Sequence, residues 1–430
     1  MSEPLKIAIA GLGTVGAGSV KLLRENGAAI AKRCGRALKV VAVAARTKGR
    51  DRGVDLSGMQ WFDDPVAMAR TADADVVVEL IGGADGPAKT CVEAAIAAGR
   101  HVVTANKALL AHHGVALARA AEAKGLSLSF EAAVAGGIPI IKALREGLAA
   151  NTITRIYGIL NGTCNYILTE MRATKRDFAE VLTEAQALGY AEADPAFDID
   201  GVDAAHKHAI LASVAFGTTV DFKAVHVEGI RKITALDIEY ADQLGYRIKL
   251  LGLAARRDGG IEQRVYPCLI GPDVPLSAVD GVFNAVVAEG DFVGRSVYEG
   301  RGAGAGPTAS AVVADLIDIA AGRRTPTFGI PSGELASAAT VPIADRRGAY
   351  YVRLVVRDRP GVLADIAAAF RDELVSMESV LQRGRSADAH VNVVIVTHET
   401  VEAPLVRALA KIAVNPAVVE APHMIRIEKF

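Results

Sequence analysis

Short apolar segments alternate with alanine-rich segments over residues 5–130, and this alternation restricts the fold more than any other feature of the sequence. The apolar segments read LKIAIAG, LKVVAVAAR, ADVVVELIGG, GRHVVTANK and LSLSFEAAVAGG. Continuous apolar runs are typical of parallel strands that helices cover on both faces. We therefore expect an α/β fold in which a Rossmann-like, doubly wound parallel sheet occupies residues 1–139.

The pattern changes after residue 139, and three further regions follow. Residues 140–322 mix amphipathic helices such as DFAEVLTEAQALG with strands such as TRIYGILNG, which predicts an α+β domain for substrate binding and dimerisation. We expect its last helix to pack back on the first domain. Residues 323–348 are rich in Pro, Gly and Arg and lack periodicity, as linkers do. Residues 349–430 are predicted to form a small, separate βαββαβ unit.

The composition argues against several classes of function. The 430 residues carry a formal net charge of −1, so no basic field favours nucleic acid or an anionic membrane, and no apolar run is long enough for a membrane span. The cysteines are scattered and form no C-x-x-C pair, which predicts neither a zinc site nor a disulfide framework. The N-terminal segment lacks the apolar region of a signal peptide. We expect a cytoplasmic protein that acts on small molecules, without nucleic-acid or membrane partners.

A glycine-rich turn follows the first predicted strand and opens the first predicted helix. The motif GLGTVG consists of Gly11, Gly13, Thr14, Val15 and Gly16, with Leu12 inside the turn. In this context the motif predicts dinucleotide binding, because glycines let a pyrophosphate approach the helix N-terminus closely. A plain tight turn is the alternative interpretation.

Arg46 stands at the end of the second predicted strand, where an NAD enzyme usually carries an acid for the ribose hydroxyls. An arginine there pairs well with the 2′-phosphate of NADP. We therefore expect NADP as the cofactor. Nearby Asp51 and the possibility of a solvated basic loop leave NAD open.

One lysine follows an unusual number of acids in GYAEADPAFDIDGVDAAHK. Asp203 and Lys207 are four residues apart on a predicted helix, and Asp200 precedes that helix as a cap would. A cap and an ordinary ion pair explain these residues without any function. Glu192 and Asp194 lie just upstream, however, and a solvated loop does not need so many carboxylates around one lysine. The segment therefore favours a substrate site.

Two further motifs end predicted strands. TANK, residues 104–107, closes the fourth of these strands, and Lys107 is expected to point toward the nicotinamide because ligands bind at that edge of the sheet. A surface lysine that leads a helix is the alternative. FEAAVAGGIP places Glu131 before a glycine-broken backbone, whose free carbonyls suit a hard cation. A hinge between domains explains the glycines equally well.

These segments together resemble homoserine dehydrogenases. In chain order they are GLGTVG, TANK, FEAAVAGGIPII, ILNGTCNYIL, GYAEADPAFDIDGVDAAHK and GRGAGAGPTASAVVADL, and they span essentially the whole chain. The family's YxEPDP motif reads YAEADP here, with Ala193 in place of proline, so no functional side chain is changed. The resemblance implies reversible, NAD(P)-dependent oxidation of L-homoserine to L-aspartate 4-semialdehyde, in the biosynthesis of threonine, methionine and isoleucine.

The resemblance also implies roles for individual residues. Lys207 is then the catalytic lysine, Lys107 assists it, and Glu192 and Asp203 hold the substrate. The remaining assignments are Thr163 and Asp198 in the substrate pocket, Gly189 and Gly304 near the cofactor, and Glu131 with the carbonyls of Val134, Gly136 and Ile138 at a sodium site. The chemistry agrees, because oxidation of an alcohol needs a proton acceptor, the reverse reaction needs a donor, and a buried lysine serves both.

The C-terminal unit resembles an ACT domain, a small amino-acid-sensing module. In RDRPGVLADIAAAF a Pro-Gly turn separates a strand from a helix, and Asp358 precedes the turn. An ordinary turn explains Pro-Gly alone, but the βαββαβ order favours regulation. We expect an end-product amino acid, threonine by the family's example, to bind Asp358 and the backbone of Gly361, Val362 and Leu363. Such sites are often completed by a second copy, so we expect a homodimer or homotetramer.

Two other classes of protein would share part of this sequence pattern. A regulator that senses NADP and an amino acid without turnover would keep the glycine turn and the ACT-like unit, but it would not need Lys207 and its carboxylates. A different amino-acid-linked dehydrogenase on the same scaffold would keep the cofactor half and change YAEADP and DGVDAAHK.

Overall fold

Six parallel strands form the N-terminal sheet of the computed structural model, which describes residues 3–383 and 390–430. The strands are β1 (Leu5–Ala10), β2 (Leu38–Ala44), β3 (Gln60–Phe62), β4 (Val76–Glu79), β5 (His101–Thr104) and β6 (Leu128–Ser129). They pair in the order β3-β2-β1-β4-β5-β6, the doubly wound order of dinucleotide-binding sheets. This order confirms the Rossmann-like prediction. The one unpredicted strand, β3, has only three residues and no apolar run.

Five helices cover this sheet, namely α1 (Thr14–Glu25), α2 (Gly27–Cys34), α3 (Pro65–Thr71), α4 (Pro87–Ala97) and α5 (Lys107–Glu122). All four residues of β4 are buried, which is why its sequence is apolar without alternation. The helices and the strands they cover form two hydrophobic clusters, one on each face of the sheet.

An eleven-stranded mixed sheet runs through the rest of the chain. Its strands are β7 (Ile153–Ile159), β8 (His226–Val227), β9 (Arg247–Arg257), β10 (Gly260–Ile270), β11 (Phe283–Gly290), β12 (Gly294–Arg301), β13 (Arg347–Arg357), β14 (Met377–Arg383), β15 (His390–Thr397), β16 (Thr400–Val401) and β17 (His423–Glu428). The main path is β12-β11-β7-β9-β10-β17-β13-β15-β14, with β8 beside β10 and β16 beside β13. The accompanying helices are α6 (Ile140–Lys142), α7 (Gly162–Thr174), α8 (Phe178–Ala187), α9 (Ala196–Ile199), α10 (Val202–Phe216), α11 (Ala235–Gln243), α12 (Ala305–Ala320), α13 (Val362–Asp372) and α14 (Glu402–Ala413).

Helix α12 follows the substrate region in sequence but packs on the first domain. A Cβ atom added to Gly18 of α1 would lie 2.8 Å from the carbonyl oxygen of Ala305. Val312 and Leu316 of α12 belong to the same buried cluster as Ile9 of β1. The close contact between α1 and α12 therefore requires a residue without a side chain at position 18.

The C-terminal unit has the predicted βαββαβ order, β13-α13-β14-β15-α14-β17, which confirms the ACT-like topology. The sequence predicts that this unit is separate, but in the structure it is joined to the preceding domain. Strand β17 pairs in parallel with the end of β10, with Cys268 opposite Arg426 and Ile270 opposite Glu428. The free edge of β10 offers unpaired amides and carbonyls, and β17 covers them. One sheet thus crosses both domains.

The predicted linker, residues 323–348, lies along the preceding domains. The amide of Thr219 donates to the carbonyl of Ala336, and the amide of Ile261 donates to the carbonyl of Ala339. The Glu122 carboxylate of α5 accepts bonds from the amide and the hydroxyl of Ser332. Individual hydrogen bonds, and not a long helix or strand, hold the segment in place. Its sequence therefore has no reason to follow the periodicity of a helix or a strand. Within the described ranges, no helix has the length and apolar character that crossing a membrane requires.

Candidate active site

Lys207 and Asp203 lie on the first two turns of α10, and their side chains meet. Lys207 Nζ donates to Asp203 Oδ2 at 2.7 Å and to the carbonyl oxygen of Leu160, just after β7, at 2.9 Å. The Lys207 side chain is only 12% exposed. An ammonium group has three donors, and two are used by these contacts. The third has no partner among the described residues.

Lys107 reaches the same carboxylate from the other domain. Lys107 is the first residue of α5, and its Nζ lies 3.3 Å from Asp203 Oδ1. Burial disfavours the charged form of Asp203, but the two lysines and a bond from Asn161 overcome this and hold its pKa at about 2. One buried anion therefore joins two ammonium groups, one from each domain, and the alternative interpretation of Lys107 as an isolated surface lysine does not apply.

Asp200 does not cap the catalytic helix. Helix α10 begins at Val202 after Gly201, which has a φ of 84° and leaves the helix without a side-chain cap. Asp200 instead forms a bidentate ion pair with Arg231, whose Nη2 is 3.0 Å from Asp200 Oδ2. The prediction that Asp200 caps α10 is therefore wrong. Its carboxylate pairs with Arg231, which is distant in sequence, and does not bond the amides of the helix.

The loop between α8 and α9 carries three of the predicted residues. Asp194 accepts a bond from the amide of Ala196 at 3.1 Å. Glu192 is exposed, and its carboxylate makes no hydrogen bond or ion pair with any residue that the structure describes. Gly189 is also exposed and has a φ of 74°. The structure does not bring Glu192 or Gly189 to Lys207, so their roles stay predictions.

Asn161 connects two acids of the site, Asp198 and Asp203. No role was predicted for it from the sequence. Its Nδ2 donates to Asp198 Oδ1 and to Asp203 Oδ2, both at 2.8 Å. Its Oδ1 accepts from the amide of Cys164, so Asn161 is also the N-cap of α7. Burial and the neighbouring Asp203 raise the pKa of Asp198. The available signal was the first residue of NGT, an asparagine placed between a strand and a helix.

Two further polar groups lie at the start of α7. The hydroxyl of Thr163 donates to the carbonyl of Tyr190 at 2.7 Å, which ties α7 to the loop that carries Glu192. Asn284 of β11 is buried, and its amide has no hydrogen-bond partner among the described residues. A Cβ atom added to Gly302 would lie 2.2 Å from that amide. A buried unpaired amide is costly, so a bound polar group beside Asn284 is favourable.

The glycine turn has the geometry that a dinucleotide needs. Gly11 has a φ of 101°, and a Cβ atom added there would lie 2.5 Å from the carbonyl oxygen of Leu80. A Cβ atom added to Gly16 would lie 2.1 Å from the carbonyl oxygen of Gly11. At Gly13, the N-cap of α1, an added Cβ atom meets nothing within 4 Å. Packing thus requires glycine at two positions, and open space lies before the first turn, where Thr14 and Val15 present their amides.

The basic loop after β2 lies beside this turn. The amide of Gly11 donates to the carbonyl of Ala44, the last residue of β2. Arg46 follows, is exposed, and makes no hydrogen bond or ion pair with the described residues. Arg52, which was not predicted, donates to the carbonyl of Leu12 at 3.3 Å and stacks on Trp61. Arg52 fastens the loop to the glycine turn and leaves Arg46 available to a ligand.

Gly304 immediately precedes α12 and has a φ of 121°. Because Ala305 packs against Gly18 of α1, the N-terminus of α12 lies next to the helix that follows the glycine turn. Gly304 is therefore on the cofactor side of the first domain.

Glu131 is buried at the junction of the two domains. Its carboxylate oxygens accept bonds from the amides of Ile141 at 2.9 Å and Lys142 at 2.8 Å. Burial is the main cause that raises the pKa of Glu131 to about 7, and the nearby Asp315 adds to it. A cation bound at Glu131 would offset both effects.

The loop that follows Glu131 leaves two carbonyls free. The carbonyl of Ile138 accepts from the amide of Ile140 at 2.8 Å, whereas those of Val134 and Gly136 accept no bond from the described residues. The described residues hold no group of three or more His, Cys, Asp or Glu side chains placed for a metal. Carbonyl and carboxylate oxygens suit a hard cation, so the residues present fit such an ion.

The predicted regulatory site lies at the N-terminus of α13, which no side chain caps. Helix α13 begins at Val362 after Gly361, which has a φ of 95° and leaves the helix without a side-chain cap. Asp358 makes no hydrogen bond or ion pair with the residues described by the structure, and Leu363 is 45% exposed. Neither the Asp358 carboxylate nor the first amides of α13 have a side-chain partner among the described residues, and the regulatory site stays a prediction.

The family models that match the chain are consistent with this geometry. Residues 11–131 match the model of the homoserine dehydrogenase NAD-binding domain, residues 139–317 match that of homoserine dehydrogenase, and residues 350–414 match that of the ACT domain. Together the three matches follow the division into cofactor, substrate and C-terminal regions.

A curated relative and a solved structure match the chain over essentially its full length, and a second solved structure matches about three quarters of it. A homoserine dehydrogenase from Neisseria gonorrhoeae is 47% identical over 434 residues, covering 100% of this chain and 99% of the relative. The crystal structure of a homoserine dehydrogenase from Thiobacillus denitrificans has a TM-score of 0.93 and 46% identity, covering 99% of this chain and 98% of the other. A hyperthermophilic archaeal homoserine dehydrogenase in complex with NADPH has a TM-score of 0.62 and 27% identity, covering 73% and 97%. The chain therefore belongs to the homoserine dehydrogenase family and is an oxidoreductase of that family.

Proposed function

We propose that this enzyme interconverts L-homoserine and L-aspartate 4-semialdehyde, with NADP as its preferred cofactor and Lys207 as its proton donor and acceptor. The observation that carries the proposal is the buried carboxylate of Asp203, which holds Lys207 at 2.7 Å and Lys107 at 3.3 Å. The two lysines come from different domains, so the cluster forms only where the cofactor and substrate regions meet.

When bound, NADP accepts or supplies the hydride at C4 of the substrate. During reduction the Lys207 ammonium gives its third proton to the aldehyde oxygen, and during oxidation the neutral amine that this transfer leaves takes the hydroxyl proton. Asp203 fixes the direction of the Lys207 ammonium group. Lys107, at the start of α5, adds positive charge next to the developing alkoxide.

The polar ends of homoserine need their own partners. Carboxylates suit the substrate ammonium group, and we assign that role to Asp198 and Glu192. The backbone amide of Thr163, at the start of α7, and the unpaired side-chain amide of Asn284 are donors for the substrate carboxylate. A substrate bound there would remove the cost of leaving the Asn284 amide unpaired.

The preference for NADP rests on Arg46 and on one relative. Arg46 is exposed at the end of β2 with no partner among the described residues, and a 2′-phosphate is a suitable ligand for it. The archaeal relative was solved with NADPH. We further propose that Glu131 and the carbonyls of Val134, Gly136 and Ile138 bind sodium, which supports the loop between the two domains.

We also assign a regulatory role to the ACT domain. Its uncapped helix start and the carboxylate of Asp358 suit an amino acid, and threonine is the expected inhibitor of an enzyme that serves threonine, methionine and isoleucine biosynthesis. A homodimer or homotetramer would complete the binding site.

A spectrophotometric assay of nicotinamide reduction tests the proposal. The full chain is assayed with L-homoserine and, separately, with NADP and NAD, and L-serine and L-threonine serve as control substrates. Turnover only with homoserine, faster with NADP, supports the proposal. Cofactor binding without turnover of any of these alcohols would support the regulator instead, and equal rates with L-serine would point to a different amino-acid-linked dehydrogenase.

A further inference from the structure

Arg426 of β17 is the largest fully buried side chain in the described part of the chain, and it connects the ACT domain to the substrate domain. Its Nη1 and Nη2 donate to the two carboxylate oxygens of Glu228, both at 2.9 Å. Its Nε and Nη2 also donate to Glu402 at the start of α14, at 2.8 and 2.6 Å. A bidentate arginine fixes the plane and direction of a carboxylate. Arg426 thus holds Glu228 against a fixed helix of the ACT domain.

Glu228 begins a segment, residues 228–231, that touches the approach to the catalytic helix. The amide of Ile230 donates to the carbonyl of Ile199 at 2.9 Å. A Cβ atom added to Gly229 would lie 2.2 Å from that carbonyl oxygen, so the two backbones are in direct contact. Arg231 forms the ion pair with Asp200. This bracing segment, residues 228–231, is therefore attached to residues 199–200 at three points.

Residues 199–200 lie between the two acids of the active site. The carbonyl of Asp198 accepts from the amide of Gly201 at 3.0 Å, and Asp203 lies in the first turn of the helix that carries Lys207. Helix α10 has no side-chain cap, so no side chain at its start bonds the free amides of its first turn. The bracing segment supplies that support from outside.

We propose that Arg426, through Glu228, is a positioning residue for the dehydrogenase reaction, which fixes Asp198, Asp203 and Lys207 relative to one another. This inference rests on the proposed function, because it assigns those three side chains to the substrate site. Arg426 touches no reacting atom, and the ACT domain is thereby part of the catalytic scaffold even when no effector is present.

The chain offers a matched control. Arg353 of β13 forms a second buried pair with a substrate-domain acid, donating to Asp237 Oδ1 at 2.7 Å and Oδ2 at 3.3 Å. Asp237 belongs to the capping box of α11, and no contact of its side chain reaches residues 198–207. Both pairs therefore connect the same two domains, but only the Arg426–Glu228 pair is connected to the catalytic helix.

The test compares Glu228→Gln, Arg426→Lys and the control Asp237→Asn in the full-length protein. Measurements are kcat, the KM values for homoserine and NADP, the melting temperature, and amide hydrogen exchange over residues 198–207. We expect Glu228→Gln to raise the KM for homoserine roughly tenfold with the KM for NADP unchanged. Exchange over residues 198–207 should be faster, and Arg426→Lys should show a smaller effect of the same kind. Asp237→Asn should lower the melting temperature while leaving exchange there unchanged.

A variant that leaves Arg426 and Glu228 in place gives an independent check. Gly229→Ala should reproduce the higher KM for homoserine, because the added methyl group pushes against the Ile199 carbonyl. The inference is overturned if hydrogen exchange over residues 198–207 is unchanged in Glu228→Gln, or if exchange rises while the KM for homoserine stays within twofold. If the unmodified enzyme does not oxidise homoserine at all, the proposed function fails, and the exchange measurement still decides whether Arg426 fixes this segment.

Discussion

Lys207 Nζ lies 2.7 Å from Asp203 Oδ2, so the group proposed to move the proton is attached to a buried anion. Lys207→Ala should lower kcat by about 10²–10⁴ or more, since proton transfer typically contributes that factor and substrate orientation is lost as well. Binding of NADP, followed by fluorescence, should persist. Lys207→Arg is the control, because it keeps Asp203 paired but does not release a proton. If Lys207→Ala retains more than about a tenth of kcat, the lysine is only half of an ion pair.

Asn161 combines a helix cap with a bridge between two acids, and two substitutions separate these roles. Asn161→Ser keeps a capping side chain but removes the amide donor, so the pKa of Asp198 should rise further and the acidic limb of the kcat/KM profile should move to higher pH. Asn161→Ala should show the same kinetic change and an additional loss of stability of about 1 kcal/mol from the missing cap. An unchanged pH profile in both variants would remove Asn161 from the site.

Arg46 and Arg52 lie in one loop but have different contacts, which makes a cofactor switch testable. Arg46→Asp should shift the preference from NADP toward NAD by about 1–3 kcal/mol, the loss of one charge-assisted contact. Arg52→Ala should weaken both cofactors equally, because Arg52 holds the loop against the carbonyl of Leu12. The measurement is kcat/KM with each cofactor. Equal losses in Arg46→Asp would show that Arg46 supports the loop instead.

The raised pKa of Glu131 predicts a cation effect that depends on pH. A carboxyl group whose pKa is about 7 in the folded protein and near its ordinary value when unfolded stabilises the fold at low pH. That contribution is lost as pH rises through the folded pKa. Sodium bound to the ionised group should restore it, so sodium chloride should raise the melting temperature more than choline chloride does at pH above 7, and little at pH 5. Glu131→Gln should remove the difference between the salts, and a difference that survives this substitution would place the cation elsewhere.

The uncapped start of α13 predicts where an inhibitor binds. Millimolar threonine should lower the activity of the full chain, and Asp358→Ala should abolish this inhibition without changing activity in its absence. A typical coupling of about 1–3 kcal/mol gives a measurable inhibition curve. Asp365→Asn serves as a control on α13, the helix that follows Asp358. Removal of the whole C-terminal region is a poorer test, because β17 pairs with β10. An enzyme indifferent to threonine and to the other amino acids of the pathway would make the domain an assembly module.

Features that depend on local sequence were predictable. The pairing of Asp203 with Lys207 follows from helical spacing, and the glycine turn follows from a strand that meets a helix. The same local reasoning failed at Asp200, because Arg231, 31 residues away, competes for its carboxylate and Gly201 leaves the helix uncapped. A capping propensity describes where a side chain bonds when no residue distant in sequence offers it a stronger partner.

Features that depend on distant contacts were not predictable. Asn161 meets Asp203 across 42 residues, and Arg426 meets Glu228 across 198. The pairing of β17 with β10 involves three residues of each strand, too few for any recognisable pattern. Such contacts can be identified only once the order of the strands in the sheet is known. They connect the residues of the candidate site to one another and to the ACT domain.

The pairing of β10 with β17 also sets an order of assembly during synthesis. The six strands of the first sheet all precede residue 130, so that sheet can form early, although it lacks α12 until later. Strand β10 stays open along its last residues until His423–Glu428 leave the ribosome. A nascent chain therefore carries an exposed strand edge beside its unfinished active site from the completion of β10 at Ile270 until β17 is made, and exposed edges are where chains associate wrongly. The last strand to be made is the one that closes this edge.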